Sequence, residues 1–236
     1  MQEQFSRTAL LIGEEGLAKL SRAKVAVFGI GGVGCFAVEA LARAGVGKLV
    51  LIDPDCIEKS NINRQLHATL YTLGQPKVKV MKERVLSINP IAQVEAIKER
   101  YTPEAASTLL RTDYSYILDA VDDVPAKVDL IARAKELHIP IISSMGAANR
   151  LNAADFRVAD ISETTGCPLA RVVRRQLRQR GITNGVKVVF SPAPPLKPTY
   201  NQLHIDGRRP VPGSISFVPP VVGLFMAGEC VHDLLI

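Results

Sequence analysis

Several groups of residues in this 236-residue chain have the types and spacing to do chemistry. Gly29-Ile30-Gly31-Gly32-Val33-Gly34 satisfies G-x-G-x-x-G. Glycines there allow a tight turn and bring backbone N–H groups against a phosphate at a helix N-terminus. Asp53 follows Gly34 by 19 residues, at the end of the next apolar run, where a carboxylate can hold ribose hydroxyls. Ser60-Asn61-Ile62-Asn63-Arg64-Gln65 offers amides suited to ribose and phosphate and a planar guanidinium for bidentate phosphate contact. Asn and Ser equally suit a solvated turn, so this segment alone decides nothing. Lys77 and Lys79 come directly after Pro76, a good first helical residue. The helix dipole opposes cations in that turn, so an anionic ligand accounts for Lys77 better than helix stability does. Asp119, Asp122 and Asp123 follow an apolar run, where a carboxylate can hold Mg²⁺ with phosphate and water, and Asp123 is placed to cap the next helix. Together these residues predict nucleotide binding; the glycine loop and Asp53 by themselves fit a nicotinamide cofactor as well as a nucleoside triphosphate.

A second group is basic. Residues 168–181 hold Arg171, Arg174, Arg175, Arg178 and Arg180 and no acidic residue; without these five the formal net charge of +6 falls to +1. On a helix, 171, 174, 175 and 178 share one face while Val173 and Leu177 point to the core. Solvated faces ordinarily mix signs, so this one predicts a polyanionic partner with salt-dependent affinity. Cys167 precedes Pro168 at the start of that helix, where a thiol pKa can be lowered, and is the candidate reactive thiol. Cys35, Cys56 and Cys230 are scattered, Cys35 inside an Ala-rich core helix, and no C-x-x-C pair exists, which argues against a disulfide framework and a four-cysteine zinc site. His67, His138, His204 and His232 have no ligand spacing and receive no catalytic role.

Positioning these groups requires alternating strands and helices. Apolar runs at 24–29, 48–53, 93–97, 116–120 and 140–143 read as strands; 33–44, 76–89, 103–110 and 126–137 read as helices. That alternation implies a Rossmann-like, doubly wound, mainly parallel α/β sheet covered on both faces. Residues 1–150 form the nucleotide-binding core. Residues 151–236 are a smaller C-terminal extension completing the same domain: strands at 156–161 and 186–190, the basic helix at 169–179, a Pro-rich loop at 191–220 and an apolar closing helix at 221–235. Eight of the chain's 15 prolines fall between Pro192 and Pro220. With 47% hydrophobic and 22% charged residues the chain is globular rather than disordered. Its N-terminus lacks a secretory layout, and Pro219 and Pro220, with Glu229, His232 and Asp233, argue against a membrane span. A cytoplasmic protein is expected.

The combination of G-x-G-G-V-G, the strand-end Asp53, N-I-N-R-Q, Lys77 and D-x-x-D, in this order, resembles the ubiquitin-activating-like adenylating superfamily (ThiF type). Thr164-Thr165-Gly166-Cys167-Pro168 before an arginine helix, the missing zinc pairs and the late P-G-S-I-S-F-V-P-P narrow the resemblance to the tRNA threonylcarbamoyladenosine dehydratases. The resemblance implies ATP and Mg²⁺ and no zinc. It implies ATP contacts from Gly29, Gly31, Gly32, Gly34, Asp53, Asp55, Asn61, Arg64, Gln65, Lys77 and Asp122, with Asp122 holding the metal. Arg64 and Lys77 would stabilise phosphate charge, joined by Arg7, read as preceding the first helical stretch, from the second subunit of a homodimer. The partner it implies is tRNA bearing threonylcarbamoyladenosine, met by Arg171, Arg174, Arg175 and Arg178, with a sulfur-transfer protein as a conceivable accessory. Three alternatives stand beside it: an activator of a sulfur-carrier or ubiquitin-like protein, which would use Cys167 or a Gly-Gly tail; an NAD-dependent oxidoreductase; and a non-catalytic nucleic-acid-binding adaptor.

Overall fold

The computed structural model describes residues 3–197 and 212–236. The 191–220 loop expectation therefore lies partly outside the described residues. Five strands, β1 (Lys24–Phe28), β2 (Lys48–Ile52), β3 (Gln93–Ile97), β4 (Tyr116–Asp119) and β5 (Ile141–Ser144), run parallel. β7 (Lys187–Phe190) pairs parallel with β5, and β6 (Arg157–Asp160) closes that edge antiparallel to β7. The order β3-β2-β1-β4-β5-β7-β6 makes one doubly wound sheet that changes direction between β1 and β4, where ligands bind beyond the carboxyl ends of strands. Apart from Lys24 and Asp119, β1 and β4 are apolar, and every residue but Lys24 is buried, as in strands covered on both faces.

Helices α1 (Ser6–Arg22), α2 (Gly34–Ala44), α3 (Lys77–Ile88), the single turn α4 (Ala106–Leu109), α5 (Val124–Glu136), α6 (Pro168–Gln179) and α7 (Val218–Leu235) complete the chain. One face of the sheet packs on α2 and α7, through Val38, Leu41, Val222 and Met226; the other packs on α5 and α6, through Leu130, Ile131, Val173 and Leu177. Gly223 lets α7 approach α2 closely, since a Cβ there would lie 2.3 Å from the Val33 carbonyl oxygen. Although α7 is long and apolar enough to cross a bilayer, Val218, Val222, Met226 and Cys230 belong to this core. Its Glu229 and Asp233 pair with Lys187 of β7, and Asp233 accepts the Tyr116 hydroxyl proton.

Three expectations change. The 103–110 helix contracts to α4, because its Ala105 N-cap has no side-chain cap and Thr108 bonds back to the Ala105 carbonyl. The closing helix starts at Val218, taking in Pro219 and Pro220, whose missing N–H groups cost nothing in a first turn. Arg7 lies inside the first turn of α1 rather than before it.

Candidate functional site

The glycine turn joins β1 to α2 at the β1–β4 switch point. Gly29 has φ +87, and a Cβ there would lie 2.6 Å from the Ala120 carbonyl oxygen. A Cβ on Gly34 would come within 1.8 Å of the Gly29 carbonyl oxygen, so the turn closes only with glycine at both places. Gly31 instead faces open space. The turn opens onto a cleft of about 740 Å³, a size suited to a small molecule.

Gly29, Gly31, Gly32, Asp53, Asp55, Asn61, Arg64, Gln65, Lys77 and Asp122 all line this one cleft, although they come from five separate segments. Gly34 backs it. Asp53 is buried; Oδ2 accepts the Ile30 N–H at 2.7 Å and Oδ1 the Asp55 N–H at 2.9 Å. Burial raises the Asp53 carboxyl above its ordinary range despite the opposing pull of Lys77. Lys77 is buried as well, with Nζ 2.8 Å from Asp55 Oδ2 and 3.9 Å from Asp53 Oδ1. An anion therefore does accompany that lysine, and it is a carboxylate pair of the protein. Arg64 donates to the Ser60 carbonyl and to Asn63 Oδ1, and Asn63 donates to the Ser214 carbonyl, tying this segment to the start of α7. Asn61 caps its own turn by accepting the Glu58 N–H. Gln65 Oε1 is buried with no partner among the described residues.

Across the cleft, Asp122 is exposed and in no ion pair among the described residues. One free carboxylate facing a phosphate-sized space fits Mg²⁺, which keeps phosphate and water oxygens in its shell. Asp123 instead caps α5, accepting the Ala126 N–H at 2.9 Å. Arg7 stands exposed on α1, outside the cleft.

Helix α6 starts at the rim: Leu169 lines the cleft. Arg171, Arg175 and Arg178 are exposed on its outer face and unpaired among the described residues. Arg174 differs from its neighbours. It is half-buried and donates to both the carbonyl and the hydroxyl of Thr164, so it fixes the segment before the helix. Arg180 reaches Asp129 of α5 at 3.2 Å. Cys167 is buried at the N-cap with no cleft contact; a Cβ on Gly146, which does line the cleft, would lie 3.4 Å from its sulfur.

Some residues of the site carried no recognisable signal. His67, two residues after Gln65, is buried with neither ring nitrogen hydrogen-bonded among the described residues, and burial followed by the charge of Lys77 lowers its pKa to about 4. Arg150 is buried and donates to the Gly146 carbonyl, Ser191 Oγ and the Ala193 carbonyl, bracing the cleft floor. Arg100, Tyr101 and Thr102 build the wall facing Asp55. One residue did carry a signal: Lys127 falls on the apolar stripe of α5 with Leu130, Ile131 and Ala134.

A glycine turn at the switch point of a doubly wound sheet, facing buried and exposed cations and a free carboxylate, defines a nucleoside-phosphate-binding α/β protein. The ThiF family model matches residues 5–235, and the chain belongs to that family. It is 46% identical to the tRNA threonylcarbamoyladenosine dehydratase of Bacillus subtilis, over 100% of this chain and 96% of the relative. The crystal structure of Escherichia coli tRNA N6-threonylcarbamoyladenosine dehydratase in complex with ATP superposes with a TM-score of 0.90 at 32% identity, covering 99% of this chain and 94% of that one. The Salmonella typhimurium molybdopterin-synthase adenylyltransferase is 37% identical over 63% of this chain and 59% of its own length.

Proposed function

We propose that this chain is an ATP-dependent enzyme that adenylates the carboxylate of threonylcarbamoyladenosine in tRNA and closes that nucleoside to its cyclic form with net loss of water. The observation that carries the reading is the joining of two features at one rim: α6, with three outward arginines unpaired among the described residues, begins where Leu169 enters the nucleotide cleft. The full-length likeness to dehydratases of two bacteria supports it.

In this reading the carboxylate oxygen attacks the α-phosphorus of ATP, the bond to the β-phosphate breaks, and pyrophosphate leaves. A group of the same nucleoside then captures the activated acyl carbon. The departing oxygen leaves on AMP, which accounts for the lost water. Intramolecular capture is worth an effective concentration of roughly 10⁵ M or more when well oriented, so no enzyme nucleophile is needed. The burial of Cys167 away from the cleft agrees with that.

The protein's part is orientation and charge. Gly31 leaves room for the phosphates, and Asp53 and Asn61 face the ribose. Arg64 and Lys77 meet phosphate oxygens, for which Lys77 must exchange Asp55 for the ligand. Asp122 would hold Mg²⁺, which neutralises phosphate charge. Arg7, outside its own cleft, serves the cleft of a second copy in a homodimer. The enzyme works in the cytoplasm, where a sulfur-transfer protein is a candidate accessory.

The test is one incubation with Mg·ATP and tRNA carrying threonylcarbamoyladenosine, with AMP quantified and nucleosides analysed by mass spectrometry under non-alkaline conditions. AMP that depends on the tRNA, with a nucleoside lighter by one water, is the expected result. Equal AMP without that tRNA, or pyrophosphate exchange only with a carrier protein ending in Gly-Gly, would sink the assignment.

A further inference from the structure

Asp119, Lys127 and Ser143 form a fully buried polar cluster directly behind the loop that carries Asp122. Lys127 Nζ lies 2.8 Å from Asp119 Oδ2, the Ser143 hydroxyl donates to the same oxygen at 2.6 Å, and Lys127 Nζ also reaches Ser143 Oγ at 3.2 Å. The other carboxylate oxygen, Oδ1, accepts the backbone N–H of Val121 at 3.0 Å. None of the three side chains lines the cleft, whereas Ala120, Val121, Asp122 and Asp123 all do.

Such a cluster needs a reason. Taking both charges out of water is costly, and well-packed apolar residues of similar volume often serve stability as well or better. What the pair does supply is direction. Asp119 ends β4, Ser143 belongs to β5 and Lys127 to α5, so the carboxylate is fixed by two neighbouring elements and can point its free oxygen only at Val121. The far end of the loop is anchored to the same helix, where Asp123 Oδ2 accepts the Ala126 N–H and the Asp123 carbonyl accepts the Lys127 N–H at 3.0 Å. Asp122 is thus the single loop residue between two anchored neighbours, with its own side chain free.

We propose that the buried Asp119 side chain, held in place by Lys127 and Ser143, is a positioning device, which clamps the Val121 amide so that Asp122 presents its carboxylate to the nucleotide phosphates and their divalent cation. This rests on the reading of Asp122 given above. Asp119 and Lys127 themselves touch neither ligand.

The test compares two double variants of the full chain by thermal unfolding, by Mg·ATP binding calorimetry and by hydrogen exchange of the 120–123 amides. Asp119→Leu with Lys127→Met removes the charges and the acceptor. It is expected to fold with a Tm close to that of the wild type, to bind Mg·ATP at least about tenfold more weakly, and to exchange the Val121 amide faster, since one loop bond is removed. Asp119→Asn with Lys127→Met removes the charges but keeps an acceptor for Val121, and is expected to recover both binding and protection. A first variant that folds and binds Mg·ATP like the wild type overturns the proposal. So does a second variant as impaired as the first, because the charge and not the clamp would then matter. If the first variant does not fold, the second decides alone: wild-type binding upholds the clamp and absent binding overturns it. Asp122→Asn separates the two readings. If it leaves Mg·ATP affinity unchanged while the first variant still frees the Val121 amide, the role of Asp122 falls and takes the purpose of the clamp with it.

Discussion

At the scale of single residues, the cleft is built by exclusion as much as by contact. Gly34 admits no side chain because the Gly29 carbonyl occupies the space, so Gly34→Ala should force the turn apart. A loss of about 3 kcal/mol in denaturant unfolding is expected, as for a badly overpacked site, with ATP binding abolished in calorimetry. Cys167 illustrates the reverse. Its thiol is buried behind Gly146, so Cys167→Ala should leave tRNA-dependent AMP formation at the wild-type rate, and an aqueous thiol reagent should label half-buried Cys56 before it. Cys35, whose pKa burial pushes up to about 12, should be among the last to react. The spacing of the chemistry-bearing residues was legible in the sequence because short motifs fix local backbone and local chemistry together. Their partners were not: nothing near Lys77 in the chain announces that Asp55, 22 residues earlier, would lie 2.8 Å away.

At the scale of elements, strands were readable because a sheet buried on both faces demands unbroken apolar runs, and β1, β2 and β4 supply them. The ends of helices were harder. Pro219 and Pro220 look like breakers in a linear reading, yet a first turn tolerates both. The arginine helix shows how an element sorts identical residues. Its core stripe of Ala170, Val173 and Leu177 leaves Arg171, Arg175 and Arg178 to solvent and turns Arg174 back onto Thr164. Charge reversal of Arg171, Arg175 and Arg178 together should weaken tRNA binding at least about tenfold, with Mg·ATP affinity unchanged. It should also flatten the salt dependence of that binding, by about one unit of slope for each phosphate no longer neutralised. Filter binding across a salt series checks this. Arg174→Ala should behave differently, lowering unfolding stability by about 1–3 kcal/mol because Thr164 is left without its charge-assisted donor.

At the scale of the whole molecule, α7 is the last element in sequence and sits near the middle of the packing, joining α2 to the sheet and binding Lys187 and Tyr116. The β6–β7 pair extends the same sheet, so the residues after 150 share the hydrophobic core of those before it. Global stability should also register His67. Its ring is buried beside Lys77 with a pKa near 4, against 6.5 when unfolded. Between those values the unfolded chain binds the extra proton, so stability is complete above pH 6.5 and falls as the pH drops toward 4, by about 3 kcal/mol at the limit. Urea unfolding at pH 7, 6 and 5 should show that slope, and His67→Leu should flatten it. A slope unchanged in the variant would assign the acid sensitivity to other groups.

The sequence by itself determined the doubly wound sheet and the glycine turn, because periodicity and short-range spacing encode these directly, and its resemblance to a known family supplied the set of polar residues that meet in the cleft. Tertiary structure alone decided which cations are held by protein carboxylates, which arginines stay unpaired among the described residues, that Cys167 is shut away and that Lys127 pairs with Asp119. Those outcomes depend on what distant segments bring to within a few ångströms, and burial and pairing at that range leave little trace in the order of the residues.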